Sequence, residues 1–140
     1  MNKSHKNSIV LHRDKLETEP LSFRCKREFF VPVNGRIHQL DLGCFRDESL
    51  CPWAVGLEIE SNHNWNSPAI LSNENDLKKF SELYKNSAIF HIPIDTEINF
   101  EEEFAKIPEC QAKKENLISK NENNVKNTYK LPKGRIGLSW

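Results

Sequence analysis

Three carboxylates stand where the surrounding sequence calls for apolar residues. Asp41 falls inside Arg36-Ile37-His38-Gln39-Leu40-Asp41-Leu42-Gly43-Cys44-Phe45, and Glu58 and Glu60 close the run Trp53-Ala54-Val55-Gly56-Leu57-Glu58-Ile59-Glu60-Ser61. If both runs are strands, residues two apart share a face, so Glu58 and Glu60 project together and a neighbouring strand sets Asp41 beside them. Acids that converge in a half-buried sheet repel one another and hold their protons unless a cation neutralises them. Hard oxygen donors suit Mg²⁺ or Mn²⁺. Such an ion activates water and stabilises negative charge that grows during a reaction. The plainer alternative is that the strands end at these positions and the acids face solvent.

Several elements must position these acids. Ile9, Val10, Leu11 and Leu16 between Ser8 and Glu19 predict a short amphipathic helix stopped by Pro20. Arg24 to Val33, a turn at Asn34-Gly35, and Arg36 to Phe45 predict an antiparallel hairpin, since both turn residues tolerate positive φ. After a loop from Arg46 to Pro52, the nearly continuous apolar run from Trp53 predicts a central strand. Ser72-Asn73-Glu74-Asn75-Asp76 predicts the start of a helix carrying Leu77, Phe80 and Tyr84 on one face. Ala88 to Ile94 predicts a further strand, and Asn99 to Ile107 a last helix with Phe100, Phe104 and Ile107 together. The expected fold is an α/β domain over residues 1–110, with a mixed central sheet of four or more strands and flanking helices. Residues 111–140 form a basic, Lys- and Asn-rich extension, in which Gln111 to Thr128 reads as a solvated helix or a disordered linker and Tyr129 to Trp140 as an edge strand or a tail.

The order helix, Asp-bearing hairpin, apolar strand ending in acid-x-acid, helix, strand resembles the PD-(D/E)xK nuclease superfamily over roughly residues 8 to 95. The resemblance implies a restriction endonuclease-like αβββαβ core in which Asp41, Glu58 and the carbonyl of Ile59 bind the divalent metal. On that resemblance the reaction is phosphodiester hydrolysis, and Glu60 holds the motif's Lys position, where it would orient or deprotonate the attacking water. This is the Glu-x-Glu form that a minority of restriction endonucleases carry. The resemblance also implies an outer contact from Glu17 or Glu19 in the first helix and a role in restriction or defence. With the motif Lys absent, Lys78 or Lys79 is the candidate for a substitute cation, against the alternative of solvated helix lysines. DNA is the expected substrate, with RNA as the other polymer. A homodimer or larger complex is expected because cutting both strands of a duplex needs two sites. A second class of function stays open: a nuclease-like module without catalysis that binds nucleic acid or protein, favoured by Glu at the Lys position and by the short chain. A third, an unrelated α/β interaction domain, gains if Asp41 and Glu58 lie far apart.

The chain has 140 residues with 20 basic and 20 acidic side chains and 37% hydrophobic residues, which predicts one domain. Its apolar runs fall short of the ~20 residues a bilayer requires, and Met1-Asn2-Lys3-Ser4-His5 leads into no signal-like apolar stretch, so a soluble, cytoplasmic protein is expected. Net neutrality hides an asymmetry: residues 1–40 carry a net +4, residues 41–110 a net −9 and residues 111–140 a net +5. Arg24, Lys26 and Arg27, with Lys130, Lys133 and Arg135, are therefore candidate phosphate contacts, or else an ordinary solvated face. His38 is a further phosphate candidate, and His63 with Trp65 in the Asn-rich loop are candidates for stacking on a base. Cys25, Cys44, Cys51 and Cys110 include no C-x-x-C pair and are expected to be free thiols. A zinc site drawn from Cys44, Cys51, His38 and His63 matches no known finger or ribbon spacing.

Overall fold

His5, Ile9, His12 and Leu16 recur at helical spacing, and they line the inner face of α1 (Lys3–Glu17) in the computed structural model. The structure describes residues 3–33, 36–61, 65–110 and 128–130, of which 3, 33, 36–38 and 128–130 are described by backbone alone. The helix begins at Lys3 rather than at Ser8, because two histidines continue the stripe that Ile9 and Leu16 define. His12 is fully buried; its Nδ1–H donates to Ser8 O at 2.8 Å and its Nε2 accepts from Ile98 N at 3.1 Å. That pairing belongs to the neutral ring, and burial holds the pKa of His12 below its ordinary value.

β1 (Arg24–Val33) and β2 (Arg36–Phe45) pair antiparallel out to Val33↔Arg36, as the hairpin signal predicts; Asn34 and Gly35 themselves lie outside the described residues. β3 (Ala54–Glu60) pairs antiparallel with β2 and parallel with β4 (Ser87–Pro93), with α2 (Pro68–Leu83) crossing between the two parallel strands. α3 (Phe100–Ala105) follows, and β5 (Thr128–Lys130) adds a parallel edge strand beside β4. The C-terminal stretch thus touches the sheet at Thr128–Lys130, while residues 111–127 and 131–140 lie outside the described residues. The sheet order is β1-β2-β3-β4-β5, and the chain order through β4 is αβββαβ.

The sheet is buried on both faces, which is why β3 and β4 are almost wholly apolar. On one side Ile9 and Leu16 of α1 and Phe100 and Phe104 of α3 pack on Leu42, Val55, Leu57, Phe90 and Ile92. On the other, Leu77 and Phe80 of α2 pack with Leu40, Ala54 and Ile89. Burial of Phe80 contributes roughly 2–3 kcal/mol. Its ring sits so close to the sheet that a Cβ on Gly56 would come within 2.9 Å of it.

The start of α2 differs from the sequence expectation. The cap is Ser67, whose Oγ accepts from Ile70 N at 3.3 Å, and Pro68 takes the first helical position. Ser72 to Asp76 therefore lie inside the helix rather than at its start, which turns Asn73 and Glu74 toward the sheet.

The cysteines are not free thiols. Cys25 and Cys44 are register partners on β1 and β2, directly opposite each other, and form a disulfide. Cys51 and Cys110 form a second, tying the loop before β3 to the chain after α3. The Cys51–Cys110 pairing comes from tertiary structure, which spacing does not reveal, whereas the two-residue turn at Asn34-Gly35 by itself sets Cys25 opposite Cys44, a register that the free-thiol expectation left out of account. They also engage Cys44 and Cys51 with different partners, which removes the thiolates from any zinc site. No helix among the described residues is long and apolar enough to cross a membrane.

Closing a loop across a sequence separation of 59 residues restricts the unfolded chain by about 4 kcal/mol on loop entropy. Replacing Cys51 and Cys110 together by Ser is expected to lower the unfolding free energy in a denaturant titration by about 2–4 kcal/mol. Alkylation of the denatured, unreduced protein should find no thiols, whereas four before reduction would contradict both bridges.

Candidate functional site

β2 and β3 pair from Phe45↔Ala54 to Leu42↔Leu57. Beyond that point, side chains take over the ladder. Glu60 O accepts from Ile94 N at 2.9 Å on the β4 side, so strand alternation turns the N–H and C=O of Ile59 toward β2. The Ile59 N–H donates to Asp41 Oδ2 at 2.8 Å, and the Ile59 carbonyl lies 2.7 Å from His5 Nε2. Asp41 N–H in turn donates to Glu58 Oε1 at 3.0 Å. Buried backbone groups must find partners, and here two carboxyl groups and an imidazole supply them.

Asp41 is also where the hairpin changes faces. Leu40 packs in the α2 layer while Leu42, two residues on, packs in the α1–α3 layer. The β1–β2 register passes from Arg27↔Leu42 to Phe29↔Leu40 without a bonded pair at Glu28 and Asp41, and Glu28 adopts φ 53°. The local turnover of the hairpin leaves the Asp41 side chain, about one-fifth exposed, at the β3 side of the break.

Glu58 is 6% exposed, and burial first, then the charge of Asp41, raise its pKa well above the ordinary carboxylate value; Asp76 adds to the effect. A raised folded-state pKa means that folding favours the protonated acid. Its stabilising effect is full below the unfolded pKa and is lost as pH rises through the folded value. Among the described residues, no three His, Cys, Asp or Glu side chains are already arranged to hold a metal ion. Two carboxylates and a main-chain carbonyl, completed by water, nevertheless fit Mg²⁺, which keeps several waters and takes one or two protein carboxylates.

Glu60 sits in a second cluster. Its Oε1 accepts from Asn73 Nδ2 at 2.9 Å and lies 3.3 Å from Nε2 of His91, the register partner of Glu58 on β4. His91 is 3% exposed; burial lowers its pKa, opposed by Glu60, Glu74 and Asp41. Its Nδ1 has no hydrogen-bond partner among the described residues and lies 3.8 Å from Glu74 Oε2. Trp65 meets the ring edge-to-face, with centroids 4.9 Å apart.

The structure thus brings Asp41, Glu58 and Ile59 together, with Glu60 beside them on the same strand. It does not bring Glu17 there: that carboxylate accepts from Cys25 N at 3.1 Å and ties α1 to β1. Glu19 lines a groove between α1 and α3 with Lys15 and Phe100. Lys78 is exposed on α2, and the residues this helix turns to Glu60 and His91 are Asn73 and Glu74. Arg24 and Lys26 are exposed and Arg27 half-buried on the edge strand β1, separated from β3 by β2. His38 pairs with Val31 by its backbone, and Lys130 is described by backbone within β5. His63, Lys133 and Arg135 lie outside the described residues. Sequence reasoning missed His5, His91, Asn73 and Glu74. The signals were present: His5 at helical spacing from Ile9 and His12, His91 alternating with Ile89, and the Ser67-Pro68 helix start.

Comparison of the chain with protein-family models, with curated proteins and with solved structures returns no match.

Replacing Glu58 by Gln removes a buried ionisable group while keeping its shape. The variant is expected to melt about 3–5 °C above the wild type in EDTA at pH 8, with the difference vanishing below pH 4.5, where both carry a neutral side chain. Addition of Mn²⁺ should raise the melting temperature of the wild type and leave that of Glu58→Gln unchanged. Equal melting temperatures at every pH would contradict the burden placed on Glu58.

Proposed function

We propose that this domain is a divalent-metal-dependent nuclease of the restriction endonuclease-like kind, acting on DNA phosphodiester bonds. The observation that carries the reading is the juxtaposition of Asp41 and Glu58 around the Ile59 backbone, at the point where β2 leaves β3. The αβββαβ order and the mixed sheet support it, because that architecture sets the acids near the C-terminal end of a parallel strand flanked by a helix.

Asp41, Glu58 and the Ile59 carbonyl would hold the ion. A bound Mg²⁺ or Mn²⁺ supplies a more acidic water and positive charge against the phosphate. Glu60 accepts the proton of the attacking water, and Asn73 and His91 fix its carboxylate for that task. Arg24 and Lys26 on the β1 edge of the sheet would take up phosphates, and by charge alone the basic C-terminal residues Lys133 and Arg135 are candidates for the same task. Two copies would serve the two strands of a duplex, in a restriction or defence role. The two disulfides favour an oxidising compartment over the cytoplasm, where thiols are kept reduced.

A second reading has its own observation. The lysine expected in the motif is replaced by Glu60, and Asp41 and Ile59 already have a partner in His5, so the site is hydrogen-bonded without an ion. A binding module that has dispensed with catalysis would look the same.

The readings separate in a cleavage assay on plasmid and single-stranded DNA with Mg²⁺, Mn²⁺ or EDTA. The nuclease reading expects ion-dependent cutting that falls at least 100-fold, roughly the scale of losing one electrostatic contact to the transition state, in Asp41→Ala and in Glu58→Ala. Retained DNA binding without cutting under any ion favours the silent module.

A further inference from the structure

His5 occupies the acceptors that a cation at the acidic pair would need. Its Nε2 lies 2.7 Å from the Ile59 carbonyl oxygen and 3.4 Å from Asp41 Oδ2, and the ring is 17% exposed at the first turn of α1. A carbonyl oxygen only accepts, so the short contact requires the hydrogen to sit on Nε2. The nitrogen that faces the site is therefore a donor toward Ile59 and cannot at the same time offer a lone pair to a metal. We propose that His5 sets the cation affinity of the site by competing for it, bonding the Ile59 carbonyl and screening Asp41 until a divalent ion displaces the ring.

This inference rests on the reading of Asp41 and Glu58 as cation ligands. It adds a residue that neither the acid-x-acid spacing nor the order of elements contains. The geometry explains why the imidazole belongs on α1. The β2–β3 register ends at Leu42↔Leu57, and the first turn of α1 meets the Ile59 carbonyl beyond it through His5. One hydrogen bond of this kind is worth enough to change ion affinity by about two- to tenfold. Such a competitor tunes binding without abolishing it.

The test is Mn²⁺ binding to the full chain, followed by electron paramagnetic resonance of the free ion, in wild type, His5→Ala and His5→Gln. His5→Ala is expected to bind about two- to tenfold more tightly. His5→Gln keeps a donor toward the Ile59 carbonyl and should fall back toward the wild-type affinity. Saturating Mg²⁺ should also move the His5 Cε1–H resonance in the wild type and leave it in place in Glu58→Gln. Weaker Mn²⁺ binding by His5→Ala would make the imidazole a ligand, and unchanged binding would make it a bystander; either overturns the proposal while the cation site stands. Absence of Mn²⁺ binding in all three folded proteins overturns the cation site itself, and this inference with it.

Discussion

Everything at the candidate site follows from a ladder that stops early. β2 and β3 bond as far as Leu42↔Leu57, and the next outward-facing backbone groups on β3, those of Ile59, are left to side chains. An unpaired buried amide costs a few kcal/mol, so the Asp41 carboxylate that takes the Ile59 N–H is held by the backbone itself. Glu58 is held in the same way by Asp41 N–H. Two acids that would otherwise repel are thus fixed against each other by hydrogen bonds that the fold cannot forgo. The residual electrostatic strain falls on Glu58, whose burial raises its pKa.

The helices are anchored at or beside this break from both faces. α1 reaches it through His5 and fixes its own position through His12, which joins Ser8 O to Ile98 N. α2 holds the neighbouring Glu60–His91 pair through Asn73 and Glu74, placed there by the Ser67 cap and by Phe80 lying on Gly56. The Cys25–Cys44 bridge pins β1 to β2 on one side of the turnover at Glu28 and Asp41. Rigid elements on three sides are what a preorganised charged site requires, since a carboxylate free to rotate would simply turn to water.

The element order was legible because its signals are local. Asn34-Gly35 between two strand-like runs and the unbroken apolar run before Glu58 each report the period of the element they belong to. So was the approach of Asp41 to Glu58, because an antiparallel neighbour must bring one of a few residues opposite the acid-x-acid end. What stayed hidden was long-range or carried by the wrong residue type. His5 and His12 continue an apolar stripe as polar residues, so a count of hydrophobic positions starts the helix too late. His91 is an apolar position filled by a histidine, and its meaning depends on the parallel register Glu58↔His91. The Cys51–Cys110 bridge depends on how the loop before β3 meets the end of α3, which no spacing encodes.

The central claim is that Glu58 is a buried acid waiting for a positive charge, and the direct measurement is its own titration. With the Glu58 side chain labelled at the carboxyl carbon, the metal-free protein should show a ¹³C resonance that stays protonated well above the ordinary carboxylate range. Mg²⁺ at saturation should move that titration downward, because the ion favours the carboxylate. A Glu58 carboxyl that titrates near its ordinary value and ignores Mg²⁺ would contradict the account.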